Sequence, residues 1–133
     1  MHTIVIGYDG SESAGRALER TAELVDNGAE VVLVSAIHPL VGKGGMPFDP
    51  LEKEDYDRHL RKAEARLAEL GVKVRTVEGV GDPARVIADQ AKEVDADLIV
   101  VGTEHKNLLE RLIMGSVSSG VAHRAECDVL VVR

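Results

Sequence analysis

Four short aliphatic runs constrain the fold of this chain more than any other feature of its sequence. They are residues 4–6, 31–34, 98–101 and 129–132. None of them alternates with polar residues, and each is bounded by glycine, aspartate or a polar turn. Continuous aliphatic runs of this length are typical of parallel strands that are covered on both faces. A fifth segment, residues 72–77, does alternate, which predicts an edge strand with one wetter face.

The segments between these runs have helical periodicity. In the first segment, after Ser11, the expected apolar stripe consists of Ala14, Ala17, Leu18, Thr21, Ala22, Leu24 and Val25. A second helix is expected over residues 56–70, where apolar residues step by three and four. Asp82 and Pro83 predict the start of a third helix, because a carboxylate caps the helix and proline suits its first position. A last short helix is expected over about residues 116–124.

This alternation of strands and helices predicts the fold class. A β-α-β-α-β-α-β-α-β order implies a mainly parallel sheet with helices on both faces. Right-handed crossovers and one reversal of strand order give a doubly wound, three-layer α/β/α domain. At 133 residues the chain is expected to form one domain over residues 1–133. Residues 38–50, with three glycines and three prolines, are interpreted as a mobile loop.

Composition excludes several classes of function. The formal net charge is −7, and the 16 lysines and arginines form no dense run, so nucleic acid is not expected as a partner. The single cysteine, Cys127, rules out an internal disulfide and is interpreted as a packed residue. The five histidines show no metal-ligand spacing, so no metal site is expected. Without a run of about 18 apolar residues, the chain is expected to be cytoplasmic and not to span a membrane.

The candidate site lies in the turns after the first and fourth strands. Ligands of open parallel sheets bind beyond the carboxyl ends of strands, where strand order reverses. Glycines at 7, 10, 102 and 115 would let backbone N–H groups approach a ligand closely. The helix that begins near residue 116 would favour an anion, with Ser116 and Ser118 as further donors. Alternatively, these two serines are ordinary helix caps.

Asp9 has two interpretations that the residues alone leave open. It follows the first strand inside a turn that is flanked by Gly7 and Gly10. Its carboxylate could accept hydrogen bonds from a ribose or from an adenine amino group. It could equally cap the helix that begins near Ser11.

One motif resembles the signature of a known family. From residue 102 to residue 116 the chain has Gly102, two residues, His105, nine residues, and then Gly115 and Ser116. This spacing resembles the ATP signature of the universal stress protein family, and residues 4–11, 97–102 and 129–133 are also similar to it. The resemblance implies an adenine nucleotide α-hydrolase-like fold with strand order 3-2-1-4-5. It also implies an ATP-binding protein that acts as a stress-response sensor or adaptor, with slow hydrolysis at most.

The resemblance also implies a set of binding residues. Asp9 would contact the adenosine, and Ala36 would lie against the adenine. The full implied set is Gly7, Tyr8, Asp9, Ala36, Val101, Gly102, Thr103, His105, Gly115, Ser116, Val117 and Ser118. The ligand would be ATP, or ADP or AMP, accompanied by Mg²⁺ that is held mostly through phosphate oxygens and water. A homodimer through residues 129–132 and an unidentified protein partner are implied as well.

His105 departs from the family pattern, because it replaces the second glycine of the signature. If that position needs a positive φ, histidine costs roughly 1 kcal/mol that glycine would not. The imidazole could instead donate to a phosphate. We expect weakened but surviving nucleotide binding; the alternative is a nucleotide-free dimeric interaction module. No nucleophile–base arrangement is visible, so no catalytic residue is predicted.

Residues 79–84 match the loose dinucleotide pattern G-x-G-x-x-A. Asp82, however, would stand at the helix end that should receive a pyrophosphate, and its charge would repel that ligand. The pattern is therefore interpreted as a tight turn with an aspartate cap.

Overall fold

The computed structural model describes residues 2–26, 28–37, 50–103 and 116–133. In these ranges strands and helices alternate as the sequence predicts. The elements are β1 (Thr3–Gly7), α1 (Glu12–Leu24), β2 (Glu30–Ile37), α2 (Pro50–Glu69), β3 (Val74–Val80), α3 (Pro83–Glu93), β4 (Leu98–Gly102), α4 (Ser116–Arg124) and β5 (Asp128–Val132). The interpretation of residues 38–50 as a loop concerns a stretch of which residues 38–49 lie outside the described ranges.

The five strands form one parallel sheet in the order β3-β2-β1-β4-β5. This confirms the doubly wound topology and its strand order. The expected edge strand is β3, although it begins at Val74 and runs on to Val80. Strand order reverses between β1 and β4, which pair with Gly7 opposite Val101.

The sheet separates two aliphatic clusters. On one face, β-strand residues pack against α1 and α2; the fully buried strand residues there are Ile4, Ile6, Val31, Leu33 and Val100. On the other face, strand residues pack against α3 and α4; the fully buried ones are Val5, Val32, Val34, Ile99 and Val101. Because both faces are covered, the strand runs need no polar alternation, which explains the pattern seen in the sequence.

The apolar stripe of α1 is predicted correctly except at its end. Ala14, Ala17, Leu18 and Thr21 are buried. Leu24, however, is 41% exposed, so its place in the stripe is wrong. The helix ends at Leu24, and Val25, in an extended conformation, packs against the core instead.

At the amino ends of the strands, Asp97 joins β4 to β1. Its Oδ2 accepts hydrogen bonds from the backbone N–H groups of His2, at 2.8 Å, and Thr3, at 2.9 Å. These two backbone donors lower the pKa of Asp97, because they favour the charged carboxylate. Among the described helices none is both long and apolar enough to cross a membrane.

Candidate functional site

The turns after β1 and β4 lie side by side at the carboxyl edge of the sheet, because these two strands are neighbours. The helices that follow them cover opposite faces. α1 packs with the Ile4 face, while Val117 of α4 packs with the Val5 face. Parallel strands with helices diverging in this way leave a crevice at the point of reversal, which is where such sheets bind ligands.

The hydrogen bonds of the β1–α1 turn decide between the two interpretations of Asp9. The hydroxyl of Ser11 accepts from the N–H of Ala14, at 3.2 Å, so Ser11 caps α1. Asp9 Oδ1 accepts from the N–H of Ser11, at 2.9 Å, which stabilises the turn before the helix. The interpretation of Asp9 as the helix cap is therefore wrong. Within the described ranges its Oδ2 accepts no hydrogen bond.

The glycines that end the two strands are closely packed, Gly102 against backbone and Gly7 against a side chain. A side chain at Gly102 would collide with Ser13, and its Cβ would lie 2.6 Å from the backbone nitrogen of Ala14. A Cβ at Gly7 would lie 2.5 Å from Cδ1 of Ile87. Gly102 thus lets the backbone of α1 lie close to the sheet, and this accounts for that glycine without a ligand, whereas the group that meets Gly7 is the end of a flexible side chain.

Two backbone donors of the candidate site are already used. The N–H of Tyr8 donates to the carbonyl of Val34, and the N–H of Thr103 donates to the carbonyl of Val132, both at 2.9 Å. If the backbone amides of the two turns bind an anion, these two N–H groups are therefore not among the donors. In the described part of the chain, the N–H groups of Asp9 and Gly10 donate to no acceptor.

The start of α4 supplies the other donors. Ser116 is its first residue, and Ser118, its third, is fully buried. Ser118 lies inside the helix, so the interpretation of that serine as a cap is wrong. The N-terminus of a helix presents free N–H groups and the positive end of the helix dipole. His105, Gly115 and the side chain of Ser116 lie outside what the structure describes.

Tyr8 and Ala36 flank Asp9 at the ends of β1 and β2. Tyr8 is partly buried against the cluster under α1 and α2. Burial, and then the charge of Asp9, raises the pKa of Tyr8, so its hydroxyl stays protonated and can donate. Ala36 pairs with Gly79 and is partly buried on the α3 face.

His59 of α2 is a residue at this edge that the sequence does not reveal. Its ring lies against Gly10, in the turn that carries Asp9. Spacing within the sequence gives no signal for this contact, because the two residues meet only through the packing of α2 on the sheet.

A cleft of about 550 Å³ lies at the other end of the sheet. It is bounded by α3, the turn before β4, and the residues before β5, among them Cys127. Burial, and then the charge of Asp128, raises the pKa of the Cys127 thiol. A neutral thiol is a poor nucleophile, which agrees with the interpretation of Cys127 as a packed residue. No group of three His, Cys, Asp or Glu side chains within the described ranges could hold a metal.

Curated relatives share the whole length of this sequence. A universal stress protein of Methanocaldococcus jannaschii is 37% identical over 98% of this chain and 81% of its own. A universal stress protein of Mycobacterium tuberculosis is 33% identical over 98% of this chain and 94% of its own.

Solved structures share the fold. A universal stress protein in complex with cAMP is 31% identical, with a TM-score of 0.77 over 99% of this chain and 96% of that one. The universal stress protein of Archaeoglobus fulgidus in complex with dAMP is 27% identical, with a TM-score of 0.81 over 100% of this chain and 98% of that one. The fold is the adenine nucleotide α-hydrolase-like one that the sequence predicts.

The sequence pattern of the universal stress protein family matches residues 1–133. With the topology, the relatives and the related structures in agreement, the chain belongs to the universal stress protein family.

Proposed function

We propose that this chain binds an adenine nucleotide, ATP, in the crevice between the ends of β1 and β4. One observation carries the proposal: the parallel pairing of these strands brings the Asp9 turn and the end of β4 to a single edge. The related structures in complex with cAMP and dAMP support an adenine nucleotide as the class of ligand.

Asp9, Tyr8 and Ala36 would hold the adenosine. The Oδ2 of Asp9, which accepts no hydrogen bond within the described ranges, would be the acceptor for the ribose or for the adenine amino group. A charged acceptor makes a stronger hydrogen bond than a neutral one, so Asp9 would orient the ligand. Tyr8 would offer its protonated hydroxyl, and Ala36 the space for the base.

The phosphates would lie at the start of α4, where residues 116–118 offer helix N–H groups. Gly7, Val101, Gly102 and Thr103 would line the crevice, with His105 and Gly115 completing the proposed set. Mg²⁺ would be held mostly by phosphate oxygens and water, since Asp9 is the one carboxylate among the described residues of the two turns.

We propose a binding role, that of a stress-response sensor or adaptor, rather than demanding catalysis. Two described side chains at this edge could act as a general base: Asp9, whose Oδ1 already accepts from the backbone, and His59, whose ring lies against Gly10. Hydrolysis, where it occurs, would be slow, because phosphoryl transfer needs both an oriented water and charge stabilisation.

We also propose that a second copy of the chain pairs along β5. This strand has one neighbour in the sheet, β4, so its outer edge presents unpaired backbone groups. Val129, Leu130 and Val131 are only partly buried there. Sedimentation over a range of concentrations should give a dimer, and the amides of β5 should gain protection from hydrogen exchange as it forms. A monomer with rapidly exchanging β5 amides would contradict the pairing.

Isothermal titration with ATP, ADP and AMP, each with and without Mg²⁺, tests the function. We expect saturable binding, and tighter binding of ATP if the phosphate site lies at α4. Equal affinity for all three nucleotides would show that the protein recognises the part of the ligand they share and not the additional phosphates. A folded protein that binds none of them would instead favour the nucleotide-free interaction module. Ser116→Ala, with unchanged affinity, would argue against the phosphate site.

The replacement of the second glycine by histidine can be tested in the same titration. If the ring obstructs the phosphates, His105→Gly should tighten ATP binding. If the imidazole donates to a phosphate, the same substitution should weaken it. In the second case the weakening should be greater at lower pH, where more of the histidine is protonated.

A further inference from the structure

We propose that His59 is a positioning residue of the nucleotide site, and that its ring holds the β1–α1 turn so that Asp9 faces the crevice. The inference rests on the proposed nucleotide binding and deepens it. It makes α2, which carries none of the site residues predicted from the sequence, part of the ligand-binding apparatus.

The contact between His59 and Gly10 is close. Gly10 has φ of +84°, a conformation that L side chains rarely adopt. A Cβ at this position would lie 3.1 Å from Cγ and Nδ1 and 3.2 Å from Cδ2 of the imidazole. The ring therefore occupies the space over the glycine that a side chain would otherwise fill. His59 is itself partly buried.

The rest of the turn is held from other directions. The N–H of Tyr8 ties the entrance of the turn to β2, and the cap of Ser11 ties its exit to α1. Between them, the N–H groups of Asp9 and Gly10 have no acceptor in the described ranges. The middle of the turn is thus held by one side-chain hydrogen bond, from Ser11 to Asp9, and by the packing of His59.

Asp9 and His59 should consequently act together. If the ring is removed, Gly10 regains conformational freedom, because glycine populates both signs of φ. The adjacent carboxylate would then sample orientations in which Oδ1 leaves the Ser11 N–H and Oδ2 turns away from the ligand. A binding group displaced in this way loses affinity even though it is still present.

The first experiment uses the protein without nucleotide. Hydrogen exchange of the Ser11 amide reports the bond to Asp9 directly. In His59→Ala this amide should exchange at least about three times faster than in the wild type, while the amides of β4 remain unchanged. Arg61→Ala, an exposed position on the same helix, is the control and should leave Ser11 as it is. Unchanged exchange in His59→Ala would overturn the proposal.

The second experiment measures AMP and ATP affinity by calorimetry. His59→Ala should weaken binding by about three- to tenfold, a range typical of neighbouring residues that act together. His59→Phe, which keeps a flat ring over Gly10, should stay within about twofold of the wild type. In a double-mutant cycle, Asp9→Ala should lose less affinity in the His59→Ala background than in the wild type. Equal losses in His59→Phe and His59→Ala, or additive losses in the cycle, would contradict positioning by the ring.

The two experiments separate this inference from the function on which it rests. If the wild type binds nucleotide and His59→Ala binds equally well, the function stands and the role of His59 is wrong. If the wild type binds no nucleotide, the proposed function is wrong, and the role of His59 in binding is wrong with it. The exchange of the Ser11 amide then shows only whether the ring holds the turn.

Discussion

The turns after β1 and β3 are built from the same residue types but use their aspartates differently. Each follows a strand that ends at the carboxyl edge, and each contains glycine and aspartate before a helix. In the β3–α3 turn, Asp82 itself caps the helix, because its Oδ2 accepts from the N–H of Arg85 at 3.2 Å. In the β1–α1 turn, Ser11 is the cap and Asp9 stands two residues earlier.

This difference shows what makes an aspartate available for binding. A carboxylate that caps a helix has its position set by the helix N–H groups, and Pro83 directly after Asp82 fixes the backbone there as well. A serine cap releases the neighbouring carboxylate from that task. Within the described ranges each aspartate accepts one backbone N–H, Asp9 that of Ser11 and Asp82 that of Arg85. Asp9 lies at the point where strand order reverses, whereas the turn that carries Asp82 follows the edge strand β3.

The largest expected effect is on nucleotide affinity. Asp9→Ala should weaken ATP binding about ten- to hundredfold, because hydrogen bonds to charged groups contribute about 1.5–3 kcal/mol. Asp82→Ala should leave affinity within about twofold, because that carboxylate is used by α3. Calorimetry of both variants checks the comparison. A similar loss in the two variants would show that the aspartates do not differ in this way.

The next largest effect is on stability. It compares Gly102, which packs against α1, with Gly79 of β3, which packs against α3. Gly102→Ala should lower the free energy of unfolding by about 1–3 kcal/mol, since the new methyl group meets the backbone of α1, which cannot yield. Gly79→Ala should cost less, because the colliding group is the side chain of Val86. Urea denaturation measures both. If Gly79→Ala were the more damaging substitution, the backbone contact at Gly102 would not be the rigid one.

The fold could be predicted almost entirely from the sequence. Strands whose residues are all aliphatic must be covered by helices on both faces of the sheet. This follows from the strand sequences alone, whichever helix lies on which face. The bounds of elements are less well predicted: β3 runs from Val74 to Val80 and α2 begins at Pro50, while Leu24 is exposed because the apolar periodicity continues past the end of α1. Where a helix ends is decided by the backbone, here by the extended conformation of Val25.

The site could be predicted only in part. Sequence placed the two turns correctly at one edge, but it attributed Gly102 to ligand approach, whereas packing against the backbone of α1 already requires this glycine. It also left the role of Asp9 open, since a cap and a ligand acceptor have the same sequence signal. The contact of His59 with Gly10 could not be predicted, because it depends on how α2 lies across the sheet.

A smaller effect on stability should distinguish the two helix caps, Ser11 and Asp82, from Asp9. Ser11→Ala and Asp82→Ala should each lower the free energy of unfolding by about 1 kcal/mol, the usual value of a lost N-terminal cap. Asp9→Ala should lower it by less than Ser11→Ala, because Asp9 stabilises the turn rather than the helix end. Thermal or urea denaturation gives the three values. An Asp9→Ala variant less stable than Ser11→Ala would reverse the assignment of the cap.

The smallest expected effect concerns a third aspartate, Asp97. Its carboxylate accepts hydrogen bonds from two backbone N–H groups at the opposite end of the sheet. The pKa of Asp97 in the folded protein lies below the ordinary value of 3.8. The charged carboxylate therefore stabilises the fold above pH 3.8, and this stabilisation is lost as the pH falls through the folded-state pKa. The asparagine of the Asp97→Asn variant does not titrate, so the variant lacks this pH-dependent stabilisation. The wild type should therefore be the more stable protein at neutral pH, and the difference should shrink below about pH 3.8. Urea midpoints of both proteins at pH 7, 4 and 3 measure this. A difference that stays constant across these three values would mean that the charge of Asp97 contributes nothing to the joining of β1 and β4.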